Sequence, residues 1–118
     1  MAVKELTKAE FLNLIGDVEK SPKDWTYKGN KPCIVDFSAS WCGYCKRLEP
    51  ILEELSDYYR GDIEIYKIDV DKELELENAF NIRTIPTLLF CKKNKEREMM
   101  LGTMGKPQLK ELIQRKLL

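Results

Sequence analysis

An α/β fold, with a central mixed five-stranded sheet flanked by four helices, is what this sequence predicts. Three observations predict it. Cys33 to Ser38 is apolar at nearly every position, and Ile63 to Val70 has apolar residues on both faces, as strands covered on both sides do. The stretch between them, Leu48 to Tyr59, is amphipathic, so a helix joins the two strands and they run parallel through a right-handed crossover. Leu88 to Cys91 and Glu96 to Leu101 are separated only by a short polar turn, which makes them an antiparallel hairpin.

The elements follow in order. Val3 to Leu6 is a short candidate strand. Thr7 reads as an N-cap, and Glu10 three residues on completes a capping box. Phe11, Leu14, Ile15 and Val18 recur at i, i+3, i+4 and i+7, one apolar helix face, and Ser21-Pro22 should stop that helix. Residues 21–31 form a polar connection. Its Trp25 and Tyr27 are read as loop aromatics packed on the core rather than as surface binders. Gly29-Asn30 and Pro32 mark the turn into the next strand. Asp36 is the anomaly there, because a carboxylate buried on both sides is costly without a partner or a proton.

The helix after Cys42 carries Leu48, Ile51, Leu52 and Leu55 on one face. Pro50 inside it lacks an amide proton and predicts a kink, and Gly61 is the expected stop. Lys67 is the odd member of Ile63 to Val70. Asp71 is expected to cap a short helix over residues 72–80, with Leu76, Ala79 and Phe80 inward. Asn94 sits in a polar hairpin turn where a left-handed conformation would be tolerated, and the charged return strand reads as a sheet edge. Gly102 to Gly105 is a turn, and Pro107 suits the first turn of a last helix whose Leu109, Leu112, Ile113 and Leu117 face inward. The order is β-α-β-α-β-α-β-β-α, with no internal repeat, and one domain is expected over residues 1–118.

Composition narrows the function. The 20 basic and 20 acidic residues cancel, which leaves no basic footprint for nucleic acid. The cluster Lys92, Lys93, Lys95 and Arg97 reads as a solvated turn. No apolar run approaches the roughly 20 residues of a membrane span. Met1 to Glu10 has no hydrophobic block of signal-peptide type, so a cytoplasmic protein is expected; an exported one whose signal was removed is the alternative. The chain has no histidine, which excludes Ser-His and Cys-His catalysis and any zinc site that needs imidazole.

Chemistry concentrates in Trp41-Cys42-Gly43-Tyr44-Cys45-Lys46, at a strand-to-helix junction. Two cysteines spaced this way in this setting read as a redox pair. The alternative, a structural zinc site, would show a second such pair or histidines, whereas Cys33 and Cys91 lie singly in expected strands. No metal and no cofactor is therefore expected beyond a redox-active Cys42–Cys45 disulfide. Cys42 falls at the helix N-terminus, where unpaired amides favour a thiolate, and is the expected nucleophile. Cys45 lies on the same helix face, deeper, and is the expected resolving thiol.

Val35-Asp36-Phe37, Trp41-Cys42-Gly43-x-Cys45-Lys46, Pro50, Lys67 with Asp69-Val70-Asp71, Ile82-Arg83-Thr84-Ile85-Pro86-Thr87, and Gly102 follow one another along the chain. On these residues, and over nearly its whole length, the chain resembles thioredoxin. Two positions depart from the family pattern: Tyr44 replaces a proline, and Ser38 stands where an aromatic is usual. The resemblance implies the thioredoxin fold and a protein-disulfide reductase that works through a mixed disulfide. It also implies protein disulfide substrates, a thioredoxin reductase-like electron donor and a monomer.

Residue by residue, it places Asp36 and Lys67 together: Asp36 is expected to accept the proton of the resolving thiol with Lys67 as its charge partner, a purely structural ion pair being the alternative. It implies a cis Ile85–Pro86 bond, and a docking surface of Trp41, Gly43, Tyr44, Ile85, Pro86, Gly102 and Thr103. The glycines are expected there to let a substrate backbone approach. It places the strands of Cys33 and Cys91 side by side, so that if Asp36 faces Leu88, Cys33 faces Cys91; inert buried thiols are expected rather than a second redox centre. Two alternatives come from outside the reductase reading: an exported exchanger with a more oxidising poise, because of Tyr44, and a binding subunit that reuses the fold.

Overall fold

The computed structural model describes residues 3–118; Met1 and Ala2, part of the expected domain and N-terminal stretch, lie outside the described residues. Strands β1 (Lys4–Glu5), β2 (Cys33–Ser38), β3 (Glu64–Asp69), β4 (Thr87–Cys91) and β5 (Arg97–Leu101) form one sheet in the order β1-β3-β2-β4-β5. β3 pairs in parallel with β1 and β2, whereas β4 pairs antiparallel with β2 and β5. Helices α1 (Lys8–Leu14), α2 (Gly43–Tyr58), α3 (Leu74–Ala79) and α4 (Lys106–Leu112) connect and flank the strands, and α4 runs on as a π-helical end, Ile113–Leu117. The mixed five-stranded sheet with four helices is the fold class the sequence predicts.

All six residues of β2 are buried, because it is the middle strand and helices cover both faces. Alternation splits its side chains between two cores. Cys33, Val35 and Phe37 join Phe11, Trp25 and Leu76 on one face. Ile34 joins Leu48, Leu52 and Leu55 of α2 and Leu109, Ile113 and Leu117 from the chain's end on the other. Each such apolar side chain contributes about 1.5–3 kcal/mol on burial. Asp36, two residues from Ile34, therefore points into the α2 side of the sheet, as does Leu88, its register partner on β4.

Local chemistry explains most element ends. Thr7 accepts from the Glu10 amide at 3.2 Å while the Glu10 carboxylate accepts from the Thr7 amide at 3.0 Å, the expected box at the start of α1. α2 is continuous through Pro50, and Gly61 turns the chain after it with a φ of +89°.

Other expectations are corrected. α1 stops at Leu14, which is exposed, so Val18 is buried from beyond the helix rather than from its face. Gly16 is the reason: the Trp25 indole lies where a Cβ on Gly16 would be, so the chain turns to let the ring onto Phe11 and Phe80, with centroids 6.2 and 5.9 Å away. Asp71 does not cap α3. The N-cap is Glu73, whose carboxylate is taken by the Lys8 amide at 2.8 Å, and Ala79 faces solvent.

β3 is less buried than its apolar run suggested, since Glu64, Tyr66, Lys67 and Asp69 are only partly covered beside the two-residue β1. In the β4–β5 turn the positive φ of 75° falls on Lys95, while Asn94 accepts the Glu96 amide with its side-chain oxygen at 3.0 Å. The basic cluster is also more than a solvated turn. Lys95 donates to the Gly29 carbonyl at 2.8 Å, and Arg97 stacks 4.0 Å from the Trp25 ring, so both clamp the 21–31 connection.

Gly16→Ala should lower stability by about 1–3 kcal/mol, the scale of forcing extra volume into a packed site. A reduced urea midpoint with an unchanged m-value is the expected reading.

Candidate active site

β2 ends at Ser38, and a short turn, closed by the Cys42 amide donating to the Ala39 carbonyl at 3.2 Å, delivers Cys42 to the start of α2. Cys42 is the N-cap residue. Its sulfur accepts the Cys45 amide at 3.2 Å, and its own carbonyl accepts the Lys46 amide. The two cysteines form a disulfide, with Cα atoms 5.2 Å apart. Cys45 is the more deeply buried of the two. A sulfur that caps a helix receives amide donors that a thiolate would keep, which suits Cys42 as the group that carries negative charge.

A second segment meets the pair from across the sheet. The Ile85–Pro86 peptide is cis, and the Ile85 carbonyl oxygen lies 4.0 Å from the Cys42 sulfur. Thr87 holds this loop by donating to the Thr84 carbonyl at 2.5 Å, and the Gly102 amide donates to the Pro86 carbonyl at 2.8 Å. Gly102 is itself buried, and a Cβ there would sit 3.1 Å from Leu88 and 3.3 Å from Pro86. Its missing side chain thus serves internal packing, a correction to the expectation that it opens the surface to a substrate. At Gly43 a Cβ would meet only the Arg47 guanidinium, 3.9 Å away, and Thr103 is exposed.

Trp41 and Tyr44 flank the disulfide at 68% and 59% exposure. Trp41 is oriented by its indole N–H, which donates to Asp71 at 2.8 Å. Tyr44 lies under the Arg47 guanidinium, 4.4 Å from its ring centre. Beside them a depression of about 310 Å³ opens between α2 and the loop before α4, lined by Tyr44, Arg47, Ile51 and Thr103 among others. Trp41, Gly43, Tyr44, Ile85, Pro86, Gly102 and Thr103 are thus gathered around one end of the sheet, with Pro86 and Gly102 beneath the surface rather than on it.

Asp36 is fully buried, and neither carboxylate oxygen has a hydrogen-bond partner. Burial pushes its pKa up from the usual 3.8 to about 7, against the downward pull of Lys67, and Glu49 adds to the rise. Lys67 is its register partner on β3, yet the ammonium pairs with Glu49 of α2 at 3.6 Å and makes no ion pair with Asp36. The expected Asp36–Lys67 partnership is therefore a longer-range attraction, because a half-exposed carboxylate competes for the same cation.

Cys33 and Cys91 stand opposite each other across β2 and β4, buried and unbonded, at the end of β2 away from Cys42. A hydrogen bond with Cys33 and then burial push the Cys91 thiol far up, so it stays protonated. Among the described residues no group of three or more His, Cys, Asp or Glu side chains could hold a metal ion.

Three site residues escaped the sequence reading. Arg47 follows Tyr44 at i+3 on a helix, a spacing that could have flagged the stacked pair. Asp71 lies in a motif already noticed but was assigned to a cap. Glu49 carries no sequence signal, since its partner Lys67 arrives from another element.

Comparison with known proteins places these features in context. The Thioredoxin family model matches residues 3–115. A thioredoxin from Borreliella burgdorferi is 36% identical over 108 residues, covering 92% of this chain and 92% of its own. A thioredoxin from Mycoplasmoides gallisepticum is 39% identical over 94 residues, covering 80% and 93%. A chloroplastic M-type thioredoxin from Spinacia oleracea is 36% identical over 108 residues, covering 91% of this chain and 60% of that one.

The raised pKa of Asp36 has a sign for stability. Between 3.8 and about 7 the folded chain holds a proton that the unfolded chain has released, so stability falls as pH rises through that window and stays lower above it. Asp36→Asn should therefore stabilise the fold near pH 8, by about 4 kcal/mol at most, and have little effect near pH 4. Urea unfolding at the two pH values measures both.

Proposed function

The chain belongs to the thioredoxin family and is a thiol–disulfide oxidoreductase, and from that premise we propose that it reduces protein disulfides with Cys42 as the attacking thiolate. The thiolate attacks one sulfur of a substrate disulfide. A mixed disulfide forms, and the other substrate sulfur leaves as a thiolate. Cys45 then loses its proton to the Asp36 carboxylate and attacks the Cys42 sulfur. The Cys42–Cys45 bond forms, and the second substrate sulfur leaves. The substrate gains two electrons and the protein loses two, which a reductase donor of the kind the family uses restores. The electrons reside in the two cysteines, so the exchange needs no added cofactor.

One observation carries this reading: a disulfide whose outer sulfur, on Cys42, caps a helix, at the end of a strand that carries a buried carboxyl with no hydrogen-bond partner. A purely structural carboxylate would be expected to have found a partner, because leaving one without is costly. Substrate strands are taken to lie along Ile85 and against Trp41 and Tyr44, pairing through backbone as added strands do.

Tyr44 supports a second reading, a more oxidising exchanger, because the residues between the cysteines set their relative thiolate stability. The redox potential against glutathione separates the two. A value well below about −200 mV supports the reductase, and one at or above it supports the exchanger.

Cys42→Ser should abolish insulin reduction. Cys45→Ser should still attack, but stall as a covalent mixed disulfide visible on a non-reducing gel. Wild-type activity no greater than that of Cys42→Ser would end the enzyme reading.

A further inference from the structure

The charged groups that act on Asp36 are few. β3 presents Lys67 to it and α2 presents Glu49. β4 presents the apolar Leu88, and β2 itself places Ile34 and Ser38 on the same face. On α2, Cys45 lies one turn before Glu49 and becomes a titratable thiol when the disulfide is reduced. The ammonium that could neutralise Asp36 is thus shared with a carboxylate that reaches it first.

We propose that Glu49 is a positioning residue for disulfide exchange: it draws the Lys67 ammonium off the buried Asp36 carboxyl and so governs the pH range in which Asp36 takes the proton of Cys45. The proposal rests on the reading of Asp36 as that proton's acceptor. Lys67 Nζ sits 3.6 Å from Glu49 Oε1, while both Asp36 oxygens stay without a hydrogen-bond donor. Two effects then act with the same sign. Glu49 keeps the cation at a distance, and its own negative charge opposes ionisation of Asp36. Glu49 is half-exposed and Lys67 largely covered, so the effect is screened by solvent but not erased. Without Glu49, Asp36 would ionise at lower pH and become a weaker base.

Glu49→Gln tests this with little change of shape. Two measurements are made on the whole chain. The first follows the Asp36 carboxyl in the oxidised protein by its infrared carbonyl band, identified by its absence in Asp36→Asn. The second follows the resolving step alone. The reduced protein is mixed in a stopped-flow cell with a nitrobenzoate disulfide reagent, and release of the second coloured thiolate, by attack of Cys45 on the Cys42 mixed disulfide, is recorded against pH. The Asp36 titration should move down by about half to one pH unit, the scale of one charge acting across a partly solvated gap. The acid limb of the release profile should move down by the same amount. Glu49→Asp, which keeps the charge, should restore most of the wild-type profile. In about 1 M salt the difference between wild type and Glu49→Gln should narrow, as it would not for a change in helix packing.

An Asp36 titration that does not move in Glu49→Gln overturns the proposal. So does a Glu49→Asp profile that coincides with that of Glu49→Gln. A titration that moves while the release profile stays in place overturns the coupling to Cys45; it leaves Glu49 acting on Asp36 and removes Asp36 as the proton acceptor.

Discussion

A carboxyl group in the middle of the sheet, with neither oxygen hydrogen-bonded, is the constraint on which the rest of the structure depends. Asp36 lies in the middle strand, whose residues are all buried, so it reaches neither water nor an edge. Burial of this kind normally ends in a hydrogen bond, an ion pair or a proton. Here the first two are missing and the third follows near neutral pH. The fold tolerates the cost because its two apolar cores, one on each face of β2, are extensive. Stability is thereby exchanged for a group that can take up and release a proton in the pH range where thiols are exchanged.

The same central strand places the chemistry. Its C-terminal end hands the chain to α2, and the disulfide forms at that joint, where a helix N-terminus offers amides to sulfur. The cis Ile85–Pro86 loop enters β4, the antiparallel neighbour of β2, so it arrives at the same end of the sheet. Gly102, at the end of β5, ties that loop down through the Pro86 carbonyl. Three segments distant in the chain are thus brought to one edge by strand order alone, and each is held by packing or backbone bonds. Trp41 and Tyr44 remain at the surface because their polar or π contacts, to Asp71 and Arg47, fix them without covering them.

The site's electrostatics divide by depth. Around Asp36 the medium is apolar, and one cation a few ångströms nearer or farther changes its ionisation. Around Glu49 and Lys67 solvent is near, and an ion pair contributes little to stability. A weak outer pair can nevertheless control a strong inner group, since what matters to Asp36 is where the ammonium sits and not how tightly it is held. Cys91, opposed to Cys33 across β2 and β4, shows the contrast: a buried thiol beside another simply stays protonated.

Much was legible in the residues themselves. Runs without alternation marked β2 and β4 as buried strands, the Thr7–Glu10 box marked the start of α1, and the cysteine spacing at a strand-to-helix joint marked the redox pair. These rest on local rules, in which neighbours in sequence are neighbours in space. The misreadings were of the other kind. α1 ends early because Trp25 folds back on Gly16. Asp71 serves an indole from a different loop, and Glu73 is occupied by the Lys8 amide. Asp36 could be recognised as anomalous from its strand, because burial follows from the apolar pattern. That its neighbour Lys67 turns to Glu49 was decided only in the folded chain, where three elements converge and distance, not sequence, selects the partner of a charge.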